Sequence, residues 1–154
     1  MNKGKVYDSA KNKLHVLLVN GAVFRGDKVL ISQRSWKETH MPGKWTIPGG
    51  KVEKTKGGVY GVIEKTLRKE IKEEVGVAIK NNVHLVVNNT FIRSTGEHVV
   101  ELVFACRYKS GKARPLDDTI SCKWVDIKEL KNFDFPPQVK NHIIMAYKFM
   151  KKKQ

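Results

Sequence analysis

Along most of the chain apolar and polar positions alternate as in strands, and twice the pattern changes to a helical period. Leu14–Phe24 and Lys28–Gln33 are β-rich runs separated by Arg25-Gly26-Asp27, which predicts a hairpin. A polar loop, Ser35–Lys44, leads into the short apolar strand Trp45–Ile47, which Pro48 and the pair Gly49-Gly50 interrupt. From Val62 to Val75 the apolar residues Ile63, Leu67, Ile71 and Val75 recur at helical spacing, and Gly76 stops the segment. Two more β-rich runs, Val83–Arg93 and His98–Tyr108, are joined by Ser94-Thr95-Gly96-Glu97. Lys109–Asp117 is then a loop and Thr119–Asp126 a further strand. Pro136–Lys152 is expected to be a second helix opened by proline, with Val139, Ile143, Tyr147 and Met150 facing inward. Hairpins mixed with two helices predict an α/β sandwich.

The first helix carries the chemistry. Glu70 and Glu74 lie about 40° apart around its axis and Glu73 about 60° to the other side, so the three carboxylates share one face at the edge of the apolar stripe. Lys65, Arg68, Lys69 and Lys72 occupy a separate basic sector. Clustered acids at a buried edge repel one another, and a hard divalent cation offsets them: Mg²⁺ typically takes one or two carboxylates together with substrate phosphates. The same residues also fit a solvated acidic face with Lys69 bridging to Glu73. What favours a site is the segment upstream, Trp45-Thr46-Ile47-Pro48-Gly49-Gly50-Lys51-Val52-Glu53, where two glycines permit close approach of backbone to ligand.

Composition narrows the class. A chain of 154 residues is expected to form a single domain, 1–154, with a polar lead over 1–12 and a basic tail over 151–154. No apolar run approaches the roughly 18 residues of a membrane span, and the polar start lacks the apolar core of a signal peptide, so no membrane partner and a cytoplasmic location are expected. Cys106 and Cys122 lack metal-ligand spacing and are read as reduced core residues. The net charge of +15 comes mostly from lysine and attracts polyanions, which suits nucleotides or RNA as well as a merely solubilising surface. The lysines are not interleaved with aromatics as in a stacking platform.

Lys69-Glu70-Ile71-Lys72-Glu73-Glu74-Val75-Gly76-Val77, preceded by Gly49-Gly50, resembles the signature box of the Nudix hydrolase family. That box is written G-x(5)-E-x(7)-R-E-U-x-E-E-x-G-U, with U aliphatic. Lys69 stands where the box has Arg. Gly50 and Lys69 are separated by five residues more than the pattern, the excess falling in Thr55–Gly61, and no acidic residue occupies the position of the box's first Glu. Leu30-Ile31-Ser32-Gln33-Arg34, His40-Met41, Lys44-Trp45 and Phe135-Pro136-Pro137 are similar to the corresponding segments of MutT-type members, which remove oxidised purine triphosphates.

The resemblance implies a Nudix-type α/β/α sandwich with a mixed β-sheet between helices. It implies Glu70, Glu73 and Glu74, with a Gly49 or Gly50 carbonyl, around Mg²⁺ or Mn²⁺, and water attacking phosphorus in a nucleoside diphosphate linked to another group: an NTP or dNTP, an oxidised nucleotide, ADP-ribose or similar. Arg34 is then expected to contact substrate phosphate and Lys51 to serve the site, with Asp118, or its neighbour Asp117, adding an acidic group. Glu70 is the first candidate for general base and Asp118 or Glu101 the alternatives. Glu101, among Val99, Val100, Leu102 and Val103, is expensive to bury without a function, yet its alternation also fits an edge strand facing solvent. Val139 replaces the Asn that reads the purine in MutT-type members, and Asn141 is expected to face elsewhere. The other readings are a catalytically weak nucleotide- or RNA-binding module and an RNA 5′-end pyrophosphohydrolase, in a monomer or homodimer.

Overall fold

The computed structural model describes residues 15–153. The polar lead and Gln154 lie outside that range. Strand β1 (Val16–Arg25) turns into β2 (Lys28–Arg34), followed by β3 (Trp45–Thr46), β4 (Gly49–Lys51), helix α1 (Val62–Val75), β5 (Ala78–Ile79), β6 (His84–Ile92), β7 (His98–Ser110) and β8 (Thr119–Asp126). A 3-10 helix, Ile127–Asn132, precedes helix α2 (Val139–Lys152). Together the strands make a mixed eight-stranded sheet in the order β3-β2-β1-β7-β5, with β4 also paired to β1, β6 to β7 and β8 to β2. Among the described residues only the pair β1 and β7 is parallel, from Val16 opposite Val99 to Phe24 opposite Arg107.

Helices cover both faces, which is why the central strands read as nearly continuous apolar runs. Strand alternation divides them. Val19, Val23, Leu30, Phe104 and Cys106 pack with Leu67, Ile71 and Val75 of α1. Ala22, Phe24, Val29, Ile31, Val103 and Ala105 pack with Ile143, Ala146 and Met150 of α2. Each large side chain so buried contributes about 1.5–3 kcal/mol relative to exposure. The sandwich expected from the resemblance is therefore present.

Local differences have physical causes. The first hairpin is tighter than Arg25-Gly26-Asp27: Arg25 pairs with Lys28, leaving a two-residue turn with Gly26 at φ +61°. Gly49 and Gly50 do not merely break a strand but pair with Asn20 and Val19. Helix α2 begins at Val139 rather than Pro136, because Pro137 keeps Pro136 out of helical space and Gln138 has φ +83°. Its inward face is His142, Ile143, Ala146 and Met150; Tyr147 is half-buried and donates from its hydroxyl to Asp27 at 3.2 Å. Lys151 and Lys152 end α2 rather than forming a free tail. Glu101 lies in β7 between β1 and β6, not on an edge strand. Cys106 is a buried free thiol, pushed up to about 12 by burial, and Cys122 is free and half-buried. Among the described residues no helix is long and apolar enough to cross a membrane.

Candidate active site

Along one edge β1 changes partner, from β4 at Leu18–Asn20 to β2 at Phe24–Arg25. A cavity of about 470 Å³ opens beside this change, within the size range of small-ligand sites. Side chains from both faces of the sheet line it: Glu70 and Glu74 from α1, and Asn20, Glu101, Asn89 and Phe91 from strand positions that alternate toward α2. Met41, Asp117 and Gln138, the three non-glycine residues with positive φ among those described, all line it as well. Such conformations cost of order 1–3 kcal/mol and gather at functional sites.

The α1 side is an electrostatic trap. Burial, chiefly, pushes Glu74 up to about 8, with the charges of Glu70 and Asp117 acting in the same direction. The Gly49 N–H, donating to Glu74 Oε2 at 3.3 Å, and the Arg34 charge oppose the rise without cancelling it. Glu70 is raised too, first by burial and then by Glu73. A Cβ at Gly50 would collide with the Glu70 carboxyl, and one at Gly49 with the Val19 carbonyl and the Asn20 side chain. Gly50 thus lets β4 lie directly against α1, and Gly49 lets it lie directly against β1. The Arg34 Nε donates to the His40 carbonyl at 2.9 Å, and an Nη lies 3.5 Å from Glu38, which aims the guanidinium along the cavity wall.

Not every expected residue is gathered in. Glu73 is exposed, 3.9 Å from Lys69, and does not line the cavity. Lys51 is exposed and also stands outside it: Gly50 points at Glu70, so alternation turns the next side chain of β4 away, and the Lys51 charge is felt by Glu97. Asp118 lines the cavity, but it is Asp117, at φ +47°, whose charge reaches both Glu70 and Glu74. The backbone explains this, since Leu116 N–H donates to the Glu74 carbonyl at 2.9 Å and pins the loop to the end of α1. Val139 lines the cavity, while Asn141 is exposed outside it.

The α2 side surrounds Glu101 with groups that local sequence reasoning missed, among them Asn20, Asn89, Phe91 and His142. Asn20 Nδ2 donates to Glu101 Oε1 at 2.7 Å, so the carboxylate, only 9% exposed, is buried with a partner. His142 is buried at the α2 end of the cavity, and His40 lies nearly parallel to Phe91, with ring centroids 6.2 Å apart.

The donor set on the α1 side suits a hard divalent cation, because two carboxyls whose ionised form is disfavoured by burial and by neighbouring acids gain most from an added positive charge. Among the described residues no three His, Cys, Asp or Glu side chains converge to hold an ion by themselves. Mg²⁺ sites of this kind are completed by substrate phosphates and water.

The sequence and the fold that carry this pair of helix carboxyls and the glycine pair have counterparts among known proteins. The NUDIX domain family matches residues 15–146, and the chain belongs to this family as a Nudix hydrolase. It is 30% identical over 128 residues to a Mycobacterium tuberculosis protein provisionally named 8-oxo-dGTP diphosphatase 2, covering 80% of this chain and 82% of that one. It is 28% identical over 134 residues to an ADP-ribose pyrophosphatase of Methanocaldococcus jannaschii, covering 85% and 75%. In fold it is similar to the NUDIX domain of Shewanella oneidensis NrtR in complex with ADP-ribose, with TM-score 0.76, 18% identity and 94% of each chain covered. It is likewise similar to a MutT NUDIX hydrolase of Burkholderia pseudomallei, with TM-score 0.72, 23% identity and coverage of 86% and 98%.

Proposed function

We propose that the chain hydrolyses a phosphoric anhydride bond in a nucleoside diphosphate linked to a second group, with Glu70 and Glu74 holding Mg²⁺ or Mn²⁺ at the α1 side of the cavity. The observation that carries this reading is the pair of shielded, raised carboxylates packed against Gly49 and Gly50 in a ligand-sized cavity. A bound divalent ion offsets phosphate charge and lowers the pKa of a coordinated water.

The chain's own groups supply the rest. Arg34, on the cavity wall, contacts substrate phosphate, where a guanidinium can donate two parallel hydrogen bonds. Glu70, in contact with the glycine strand, is the candidate that takes the proton of the attacking water. Asp117 or Asp118 and the buried Glu101 are the alternatives on the same cavity. Glu73 adds negative charge from the outer turn, where it already raises Glu70, and Lys51 remains outside. The relatives named for ADP-ribose and for 8-oxo-dGTP make both compounds first choices as substrate.

A screen with Mg²⁺ and with Mn²⁺ over ADP-ribose, NTPs, dNTPs, 8-oxo-dGTP, dinucleoside polyphosphates and triphosphorylated RNA tests this. Metal-dependent release of a nucleoside monophosphate or pyrophosphate from at least one small nucleotide is expected. No turnover of any small nucleotide, with a folded protein, would refute the reading; cleavage of the RNA alone would favour the 5′-end reading instead.

A further inference from the structure

Strand β6 and the residue that follows it place Asn89, Phe91 and Arg93 on the cavity, two residues apart and hence about 6.6 Å from one to the next. Two of them carry polar atoms that are buried and without a hydrogen-bond partner among the described residues: Asn89 Oδ1, an acceptor, and Arg93 Nε, a donor. A buried polar atom left unpaired costs about 1–3 kcal/mol, so two on one wall of a ligand-sized cavity need an explanation. Each is otherwise well held. Asn89 lies directly opposite Glu101 in the β6–β7 ladder, and an Arg93 Nη is tied to Glu97 at 3.2 Å. Between them Phe91 supplies an aromatic ring, with His40 nearly parallel to it on the opposite loop.

We propose that this strip along the end of β6 is the base-recognition wall of the site, taking a nucleobase that carries a ring N–H or an exocyclic amine. Phe91 is the stacking platform, Asn89 Oδ1 accepts from the donor edge of the base, and Arg93 Nε donates to an oxygen of the ligand nearer the mouth. The inference deepens the nucleotide reading above and rests on it for the position of the phosphates. The roughly 13 Å between the Asn89 and Arg93 positions exceeds one base edge, so the two address different parts of the ligand. The acceptor character of Asn89, reinforced by the facing carboxylate of Glu101, sets the selectivity: a base with no donor on its edge leaves that acceptor unpaired, and sites built around a hydrogen bond reject ligands lacking it.

The test is equilibrium binding at pH 6 in EDTA, which requires no turnover, so a failure of the hydrolytic reading leaves it intact. The probes are AMP, GMP, purine riboside 5′-monophosphate, which lacks edge donors, and base-free ribose 5-phosphate. Wild type is expected to bind AMP or GMP at least tenfold more tightly than purine riboside monophosphate. Asn89→Leu abolishes that difference without lowering the melting temperature, because it removes an unpaired acceptor. A merely structural Asn89 would give a less stable variant that keeps the preference. Phe91→Leu, which preserves apolar volume, weakens all three base-bearing ligands and leaves ribose 5-phosphate unchanged. No preference in wild type, a preference surviving in Asn89→Leu, or equal effects of Phe91→Leu on base-bearing and base-free probes would overturn the proposal.

Discussion

The two sides of the cavity solve opposite problems. On the α1 side, acidic groups are held away from water with too little positive charge to offset their ionisation, and Glu74 stands near 8 as a result. On the α2 side the one buried carboxylate, Glu101, has a close donor in Asn20, while the unpaired atoms are the amide oxygen of Asn89 and the guanidinium nitrogen of Arg93. The first arrangement is unstable alone and gains from a cation; the second is incomplete alone and gains from directional hydrogen bonds. The contrast separates a region for chemistry from a region for recognition.

The largest effect expected is on turnover when the charged side is changed. Glu74→Gln and Glu70→Gln should each lower kcat by about 10²–10³-fold, the scale of losing one preorganised electrostatic group. Steady-state kinetics with the best nucleotide at saturating Mg²⁺ decides this, and wild-type rates in both variants would remove the metal from these residues. Gly50→Ala should follow closely, because its Cβ overlaps the Glu70 carboxyl and displaces either that side chain or β4. A loss of about 1–3 kcal/mol in denaturant midpoint analysis should accompany its reduced activity.

The pH dependence of stability sharpens the same contrast. A carboxyl whose folded pKa lies above its unfolded value stabilises the fold fully below about 4.5 and progressively loses that contribution as pH rises to about 8. The metal-free melting temperature should therefore fall across this window by an amount equivalent to at most about 4 kcal/mol. Glu74→Gln should flatten the decline and be the more stable protein at pH 8. An equal slope in both proteins, measured by thermal unfolding in EDTA, would show that Glu74 is not shielded. The smallest effect belongs to the exposed pair. Lys69→Ala should change stability by no more than about 0.5 kcal/mol, and Glu73→Gln should reduce kcat less than Glu74→Gln does.

How much was legible follows the same division. The α1 side was readable because its parts are local: three glutamates at i, i+3 and i+4 in one helix, behind a glycine pair. Helical period did hold the signal that Glu74 turns inward and Glu73 outward, since they stand about 40° and about 140° from the centre of the Ile63, Leu67, Ile71 and Val75 stripe, but reading the three glutamates as one face passed over it. The α2 side is assembled across sequence. Asn20 and Glu101 are 81 residues apart and meet through a parallel pairing whose register no local pattern states. Strand alternation and the short Ser94–Glu97 connection were the available signal for placing Asn89 opposite Glu101, but the register also depends on a shift between Leu85 and Val87. The strands and both helices were legible from period and turn residues, whereas the start of α2 and the pairing of Gly49 and Gly50 depended on backbone geometry that composition does not reveal.

The central claim, that one helix carboxyl is kept shielded and poised for a cation, is tested most directly by the ¹³C NMR titration of the Glu74 side-chain carboxyl in metal-free protein. A midpoint near 8, moving sharply downward when Mg²⁺ is added, is the result expected from its burial beside Glu70 and Asp117. A midpoint in the ordinary range near 4.5, unmoved by Mg²⁺, would contradict the account.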